Sequence, residues 1–486
     1  MRPGFLRRFG GVFSILTLLL SSLLGLNSSV ALAAPLWINV PCNTDSLVSA
    51  INSANVDGGT LILAAHCTYT VTTPATATDG LPVITGNVTI KGQAATITRD
   101  SAAPAFRIFQ VASGGTLNVD FLTISQGSTT GLGGAILLGG TASVSNSTIS
   151  DNTAGNGGGI SVSAGANLTA TTTTFSTNNS TGVGGGGIIV LGSALVTRST
   201  FSGNTAAING GSINIQSSGL LTVISSTVAN NSSGGLGGGI SNLGTVALTN
   251  LTFSGNTSSD GDAVATGNSN VTISNSILDD ESDRNECSPA GTIKGGFNLV
   301  SDDSCVTSAT SNVISASHPL SLGPLQFNGG QTQTMLPSEN STGVIDRIPV
   351  ANCVAADASN PGATIAVTTD QTGINRPQGS RCDIGAAEVA KDIVLFPALT
   401  TVIYDAQRHN ISSRGLVVTA YNIAPLDQPW DGTNGNMQRQ FTYTSRMGGG
   451  GGYQLVVVMR LPRGDYALSY EVQGDPAVYI IKFTVR

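Results

Sequence analysis

Between residues 116 and 280 the chain repeats one pattern of polar and apolar positions. A hydroxyl residue followed by an apolar one recurs at Thr123-Ile124, Thr148-Ile149, Thr174-Phe175, Thr200-Phe201, Thr227-Val228, Thr252-Phe253 and Ser276-Ile277. The steps are 25, 26, 26, 27, 25 and 24 residues. Three residues after the apolar member stand Asn152, Asn178, Asn204, Asn231 and Asn256. A Gly cluster follows, as in Gly157-Gly158-Gly159, and an apolar residue closes the motif, as in Ile136, Ile160, Ile188, Ile213 and Ile240. A period of this length marks a solenoid whose units cannot bury their own apolar faces.

The period divides into three short strands and three turns. Coils stacked about 4.8 Å apart would pair each strand in parallel with its neighbours and enclose a continuous core. The expected fold is all-β, a right-handed three-sided parallel β-helix. Phe175, Phe201 and Phe253 should stack at one position. The five Asn residues should occupy a left-handed turn position and bond to the coils above and below. Leucine-rich repeats are excluded by the absence of their Leu spacing. A calcium-binding nonapeptide roll is excluded because the Gly clusters lack the required Asp.

The flanks read differently. Residues 1–33 have the pattern of a signal peptide, with Arg2, Arg7 and Arg8 before an apolar run at 12–26 and Ala31-Leu32-Ala33 as the cleavage signal. Residues 34–115 read as an N-terminal cap and irregular first coils. Within them, residues 45–54 form a short amphipathic helix with Leu47, Val48 and Ile51 on one face and Asp45 as N-cap. The regular coils span 116–317. Residues 389–486 form a separate β-sandwich-like domain, with strands at 393–404, 416–421, 438–445, 453–461, 466–472 and 478–485. Arg463-Gly464-Asp465 is expected as a hairpin turn rather than an adhesion motif.

Composition narrows the chemistry. Charged residues make up 10% of the chain and the net charge is −7, so no nucleic-acid partner is expected. From residue 116 to 278 the only charged residues are Asp120, Asp151, Arg198, Asp260 and Asp262. A lyase or glycoside hydrolase needs several acid–base groups on one face, so no catalytic residue is assigned. Asp260 and Asp262 read as solvated loop residues and Asp151 as a turn cap. Asp279, Asp280 and Asp283 are weak calcium candidates in an acidic loop, and no cofactor is expected. Six cysteines in an exported chain suggest disulfides, and 15 pairings are possible. Their clustering favours Cys42–Cys67, Cys287–Cys305 and Cys353–Cys382, each closing a loop worth about 3 kcal/mol.

Residues 318–388 lose the period and carry a second set of motifs. These are Leu322-Gly323-Pro324-Leu325-Gln326-Phe327-Asn328-Gly329-Gly330-Gln331-Thr332-Gln333-Thr334, Val344-Ile345-Asp346, Thr369-Asp370-Gln371-Thr372-Gly373-Ile374-Asn375-Arg376-Pro377, and Cys382-Asp383-Ile384-Gly385-Ala386-Ala387-Glu388. Over these roughly 70 residues the chain resembles the C-terminal region of choice-of-anchor Q surface β-helix proteins, although an Arg is usual where Thr372 stands. The resemblance implies a cell-surface or secreted β-helix and no defined activity. The expected function is structural or adhesive, with extracellular glycans or another surface protein as partners. A polysaccharide-active enzyme of pectate-lyase-like fold is the alternative. No transmembrane segment is expected after signal cleavage, and the sequence leaves the oligomeric state open.

Overall fold

The computed structural model describes residues 36–389 except 268–270, 280–284, 290–293, 306–312, 315–321, 338–340, 342, 361 and 379–380, together with seven strands between 393 and 485. The expected signal segment at 1–33 lies outside the described residues. The described chain is mostly β, a parallel solenoid of about ten turns with one short helix at its N-terminal end.

The stacking is in register. One inward column runs through Ile38, Leu61, Ile90, Val119, Val144, Ala170, Val196, Val223, Leu248 and Ile273, each the parallel partner of the next. A second runs through Tyr69, Ile97, Ile124, Ile149, Phe175, Phe201, Val228, Phe253 and Leu278. A third begins at Phe109 and continues through Ile136, Ile160, Ile188, Ile213, Ile240 and Val264. All three belong to one buried cluster, apart from the partly buried Ile38 packed against it. Burying such apolar surface is worth about 25 cal/mol per Å².

Several expectations change in detail. A regular coil carries four strand segments instead of three, for example Thr141–Ser145, Thr148–Ser150, Thr153–Ala154 and Ile160–Val162. They group into three sheets, because two of the strand stacks merge into one 17-stranded sheet. Phe175 and Phe201 stack with ring centroids 4.6 Å apart and planes 4° from parallel. Phe253 does not join them, because Val228 stands between it and Phe201. Ser276-Ile277 is out of phase with the earlier pairs, since Ile277 aligns with Thr252 and Leu278 takes the core position.

The Asn column is a buried ladder. Each Nδ2 donates to the Oδ1 of the next Asn, from Asn152 through Asn178, Asn204 and Asn231 to Asn256, at 2.9–3.0 Å. These five residues are fully buried and do not adopt the left-handed conformation. The preceding residue does so instead: Asp151, Thr177, Gly203, Asn230 and Gly255 all have φ between 51° and 67°. The turn is made one residue early so that the Asn amide points into the coil.

The Gly clusters serve close stacking as well as turning. A Cβ on Gly158 would meet the Gly186 carbonyl oxygen at 2.5 Å, inside any normal contact. At the N-terminal end the helix Thr44–Asp57 caps the stack with Leu47, Ala50, Ile51 and Ala54 buried. Its N-cap is Asn43 and not Asp45, because Asn43 Oδ1 accepts the Ser46 N–H at 2.8 Å. Asp45 lies in the first turn, where the helix dipole favours a carboxylate.

The cysteines join as Cys42–Cys67, Cys287–Cys305 and Cys353–Cys382. In the C-terminal part, a five-stranded sheet runs in the order Ile393–Leu395, Val478–Val485, Gly464–Val472, Val417–Pro425 and Phe441–Thr442. Thr401–Asp405 pairs separately with Gln454–Val458. The expected strand at 393–404 is therefore two strands in two sheets. Gly464 and Asp465 are strand residues paired with Val485 and Thr484, so the expected turn is not made by them; Arg463 lies outside the described residues.

Candidate functional site

Alternate residues of each strand point outward, and the register turns them into columns. The most regular is a line of threonines: Thr68, Thr96, Thr123, Thr148, Thr174, Thr200, Thr227 and Thr252. It continues through apolar Ile277 and Leu299 to Val313. The column divides into two halves. Thr68 is exposed and Thr96, Thr123, Thr148 and Thr174 are partly exposed, whereas Thr200, Thr227 and Thr252 are buried.

The cover is the chain itself. The described residues between 322 and 388 return along the outside of the solenoid. Gln371 bridges two threonines, with Thr227 Oγ1 donating to its Oε1 at 2.7 Å and its Nε2 donating to Thr200 Oγ1 at 2.8 Å. Thr200 Oγ1 donates to the Gln333 carbonyl at 2.6 Å, and the Ala386 N–H donates to Thr252 Oγ1 at 3.0 Å. Outward Leu195 and Ile224 pack with Ala355, Ile365 and Val367. Outward Ile277 and Leu299 pack with Val344, Ile348 and Ile384. The cover thus meets hydroxyls at Thr200, Thr227 and Thr252 and apolar side chains at Leu195, Ile224, Ile277 and Leu299.

The returning segment is held by a buried polar network made from the motif residues at 370–388. Arg376 Nη1 contacts Glu388 Oε1 at 2.8 Å with both side chains fully buried. Arg376 also donates to the carbonyls of Asp383 and Gly385. Asp370 accepts from Thr372 Oγ1 and the N–H groups of Ile374 and Glu388. Glu388 alone pairs with the guanidinium, while the Asp370 and Asp383 carboxylates feel only its charge. Burial pushes Glu388 up to about 7, with Asp383 adding to the rise and Arg376 opposing it. Burial also raises Asp370 and Asp383. The network has no solvent-facing carboxylate pair, so it reads as a structural clasp.

On the open half, a groove of about 540 Å³ lies across the first coils, bordered by Trp37, Ile62, His66, Lys91, Gln93, Asp120 and Phe121. Trp37 is 63% exposed, the most exposed aromatic side chain among the described residues with large exposed apolar groups. Lys91 Nζ donates to Asp120 Oδ2 at 2.9 Å. Asp120 Oδ1 accepts from Ser145 Oγ and Asn146 Nδ2, each at 2.9 Å. Burial works to raise Asp120, but the hydrogen bonds from Asn146, Lys91 and Ser145, with the Lys91 charge, hold it below the ordinary carboxylate range. A bulge between Lys91 and Ala95 shapes the floor, with Gln93 and Ala94 left-handed. Sequence reasoning passed over Trp37. The available signal was a Trp at the head of the first strand in a chain with two Trp residues.

The other sequence candidates do not converge. Asp262 is buried and not solvated, accepting from the Ser258 N–H and Oγ. Asp260 accepts from Ser288 Oγ at 2.6 Å. Asp151 accepts from Thr177 Oγ1 at 2.6 Å. Asp279 is buried, while Asp280 and Asp283 lie outside the described residues. Among the described residues no group of three or more His, Cys, Asp or Glu could hold a metal ion. No described helix is long and apolar enough to cross a membrane.

Residues 133–314 match the family model described as the right handed beta helix region. No curated protein and no solved structure matches the chain. The matched stretch coincides with the regular coils, and over it the chain is similar to right-handed parallel β-helices.

Proposed function

We propose that this chain is a secreted or cell-surface structural and adhesive β-helix protein of the choice-of-anchor Q type, which contacts glycans or a partner surface through the open half of its outer face. The observation that carries the reading is the division of the threonine column: sealed by residues 322–388 at Thr200, Thr227 and Thr252, and open from Thr68 to Thr174. The sealed half illustrates how such a column binds, with one amide bridging two stacked hydroxyls. Repetition of weak contacts over several coils gives avidity without a deep pocket. The choice-of-anchor Q reading rests on the sequence motifs alone, whose Gln371, Arg376, Asp383 and Glu388 sit in the cover or its clasp. Three disulfides accord with export to an oxidising compartment. The C-terminal strands read as a β-sandwich-like module.

The test is to incubate the purified protein with insoluble neutral glycans and with polyuronates, with and without calcium. Retention without turnover is the expected result. Turnover of any of these substrates would replace the adhesive reading with the enzymatic one, and absence of retention on every glycan would overturn glycan contact.

A further inference from the structure

We infer that the groove across the first coils is a binding site for a neutral saccharide, with the Trp37 indole as the platform for a sugar ring and the Lys91–Asp120 pair reading its hydroxyls. This rests on the glycan-contacting reading above and names the ligand class and its anchor.

The indole comes first. In the solenoid Tyr69, Phe106, Phe109, Phe175, Phe201 and Phe253 are buried, and Phe121 at the edge of the groove is half-buried. Trp37 stands apart at 63% exposure, at the head of an outward column that continues through Thr60, Thr89, Asn118, Ser143 and Thr169. An aromatic of this size leaves a large apolar surface in water. The C–H face of a pyranose covers such a ring while keeping its hydroxyls at the rim.

The rim supplies their partners. An ammonium has three donors and an ionised carboxylate about four acceptor positions. Lys91 is 47% and Asp120 22% exposed on the side chain; their 2.9 Å contact uses one of the three ammonium donors, and with Ser145 and Asn146 also on Asp120 about one carboxylate acceptor position stays open. The remaining capacity suits adjacent hydroxyls, each of which both donates and accepts. An apolar peptide in the same groove would strip water from this ion pair and return no hydrogen bonds, which is costly.

Charge selects the neutral class. The groove pairs one fixed cation with one fixed anion, and the whole chain carries −7. A uronate or sulfated sugar gains no excess of positive charge here. The floor has little room for side chains, because a Cβ on Gly92 would collide with the Phe121 carbonyl. The site is therefore a shallow platform continuous with the open hydroxyl face, able to take a sugar chain laid along it.

The test is titration of the full purified protein, followed by tryptophan fluorescence, with neutral gluco-, manno- and xylo-hexasaccharides and with hexagalacturonate. A saturable change with at least one neutral series is expected. Trp37→Ala should weaken that affinity by roughly tenfold or more, while Trp37→Phe retains part of it. Asp120→Asn should weaken it severalfold in titrations run well below its melting temperature, which should itself fall because the carboxylate holds Lys91, Ser145 and Asn146. Because Trp37 is largely exposed, its loss should leave the fold intact, and circular dichroism checks this. Tightest binding by hexagalacturonate, or calorimetric binding unchanged in Trp37→Ala, would overturn the inference. If Trp37→Ala is still retained on insoluble glycans as strongly as the parent, the groove assignment fails and the broader reading stands. If the parent chain is retained on none, both fall.

Discussion

At the residue scale, the interior is specified by a few side chains that have work on both neighbouring coils. Asn204 is the clearest. Its Oδ1 accepts from the Asn178 N–H and Nδ2, and its Nδ2 donates to the Phe175 carbonyl and to Asn231 Oδ1. Replacing it with Ala strands buried donors and a carbonyl at once, each costing about 1–3 kcal/mol. Asn204→Ala should therefore destabilise the solenoid by about 3 kcal/mol in urea titration. Thr205→Ala next door, whose hydroxyl bonds Asn179 at an exposed site, should change stability by less than about 0.5 kcal/mol. Equal losses would count against the ladder. The recurrence of Asn was readable in the chain because one residue type fills the position. The left-handed position before it was not, because Asp151, Thr177, Gly203, Asn230 and Gly255 share a backbone shape and no side-chain chemistry. The one-residue shift at Ile277 was hidden for a similar reason: an apolar side chain at that point fits the core pattern, and only the returning segment explains why it faces outward.

At the scale of elements, the returning segment is the part least readable from local sequence. Nothing in its own periodicity says which coils it covers. The trace lies in the coils, where Leu195, Ile224, Ile277 and Leu299 interrupt outward columns that elsewhere carry mostly Thr, Ser and Asn. Its clasp has a pH dependence whose sign follows from burial. Glu388 is raised to about 7 in the folded chain from an ordinary value of 4.5. The folded state then holds the proton over a window where the unfolded chain has released it. Stability from this group is fully present below about 4.5 and is lost as pH rises through about 7. Asp370 and Asp383, also raised, act in the same direction. Amide exchange at Ile384 and Ala386, corrected for intrinsic rate, should quicken from about pH 5 to about pH 8. Glu388→Gln should flatten that change. A parent protein whose segment tightens with rising pH would contradict the assignment. The disulfide Cys353–Cys382 closes the same segment, and removing it should lower the melting temperature while leaving the Asn ladder intact.

At the scale of the whole molecule, one repeated coil yields two kinds of surface. The solenoid, its period and its inward columns follow from side chains that recur every two dozen residues. The division of its outer face depends on chain that lies more than a hundred residues away, as in the contact between Thr200 and Gln371. The groove at Trp37 was similarly silent, because its walls come from separate coils near residues 37, 62, 66, 91 and 120. This division is the central claim, and thiol labelling along a single column tests it most directly. Cysteines placed singly at Thr96, Thr148, Thr174, Thr200, Thr227 and Thr252 would be reacted with a maleimide under native conditions. Fast labelling at the first three positions and strong protection at the last three is the expected pattern. Uniform labelling along the column, or protection at Thr148 with free reaction at Thr227, would contradict the account.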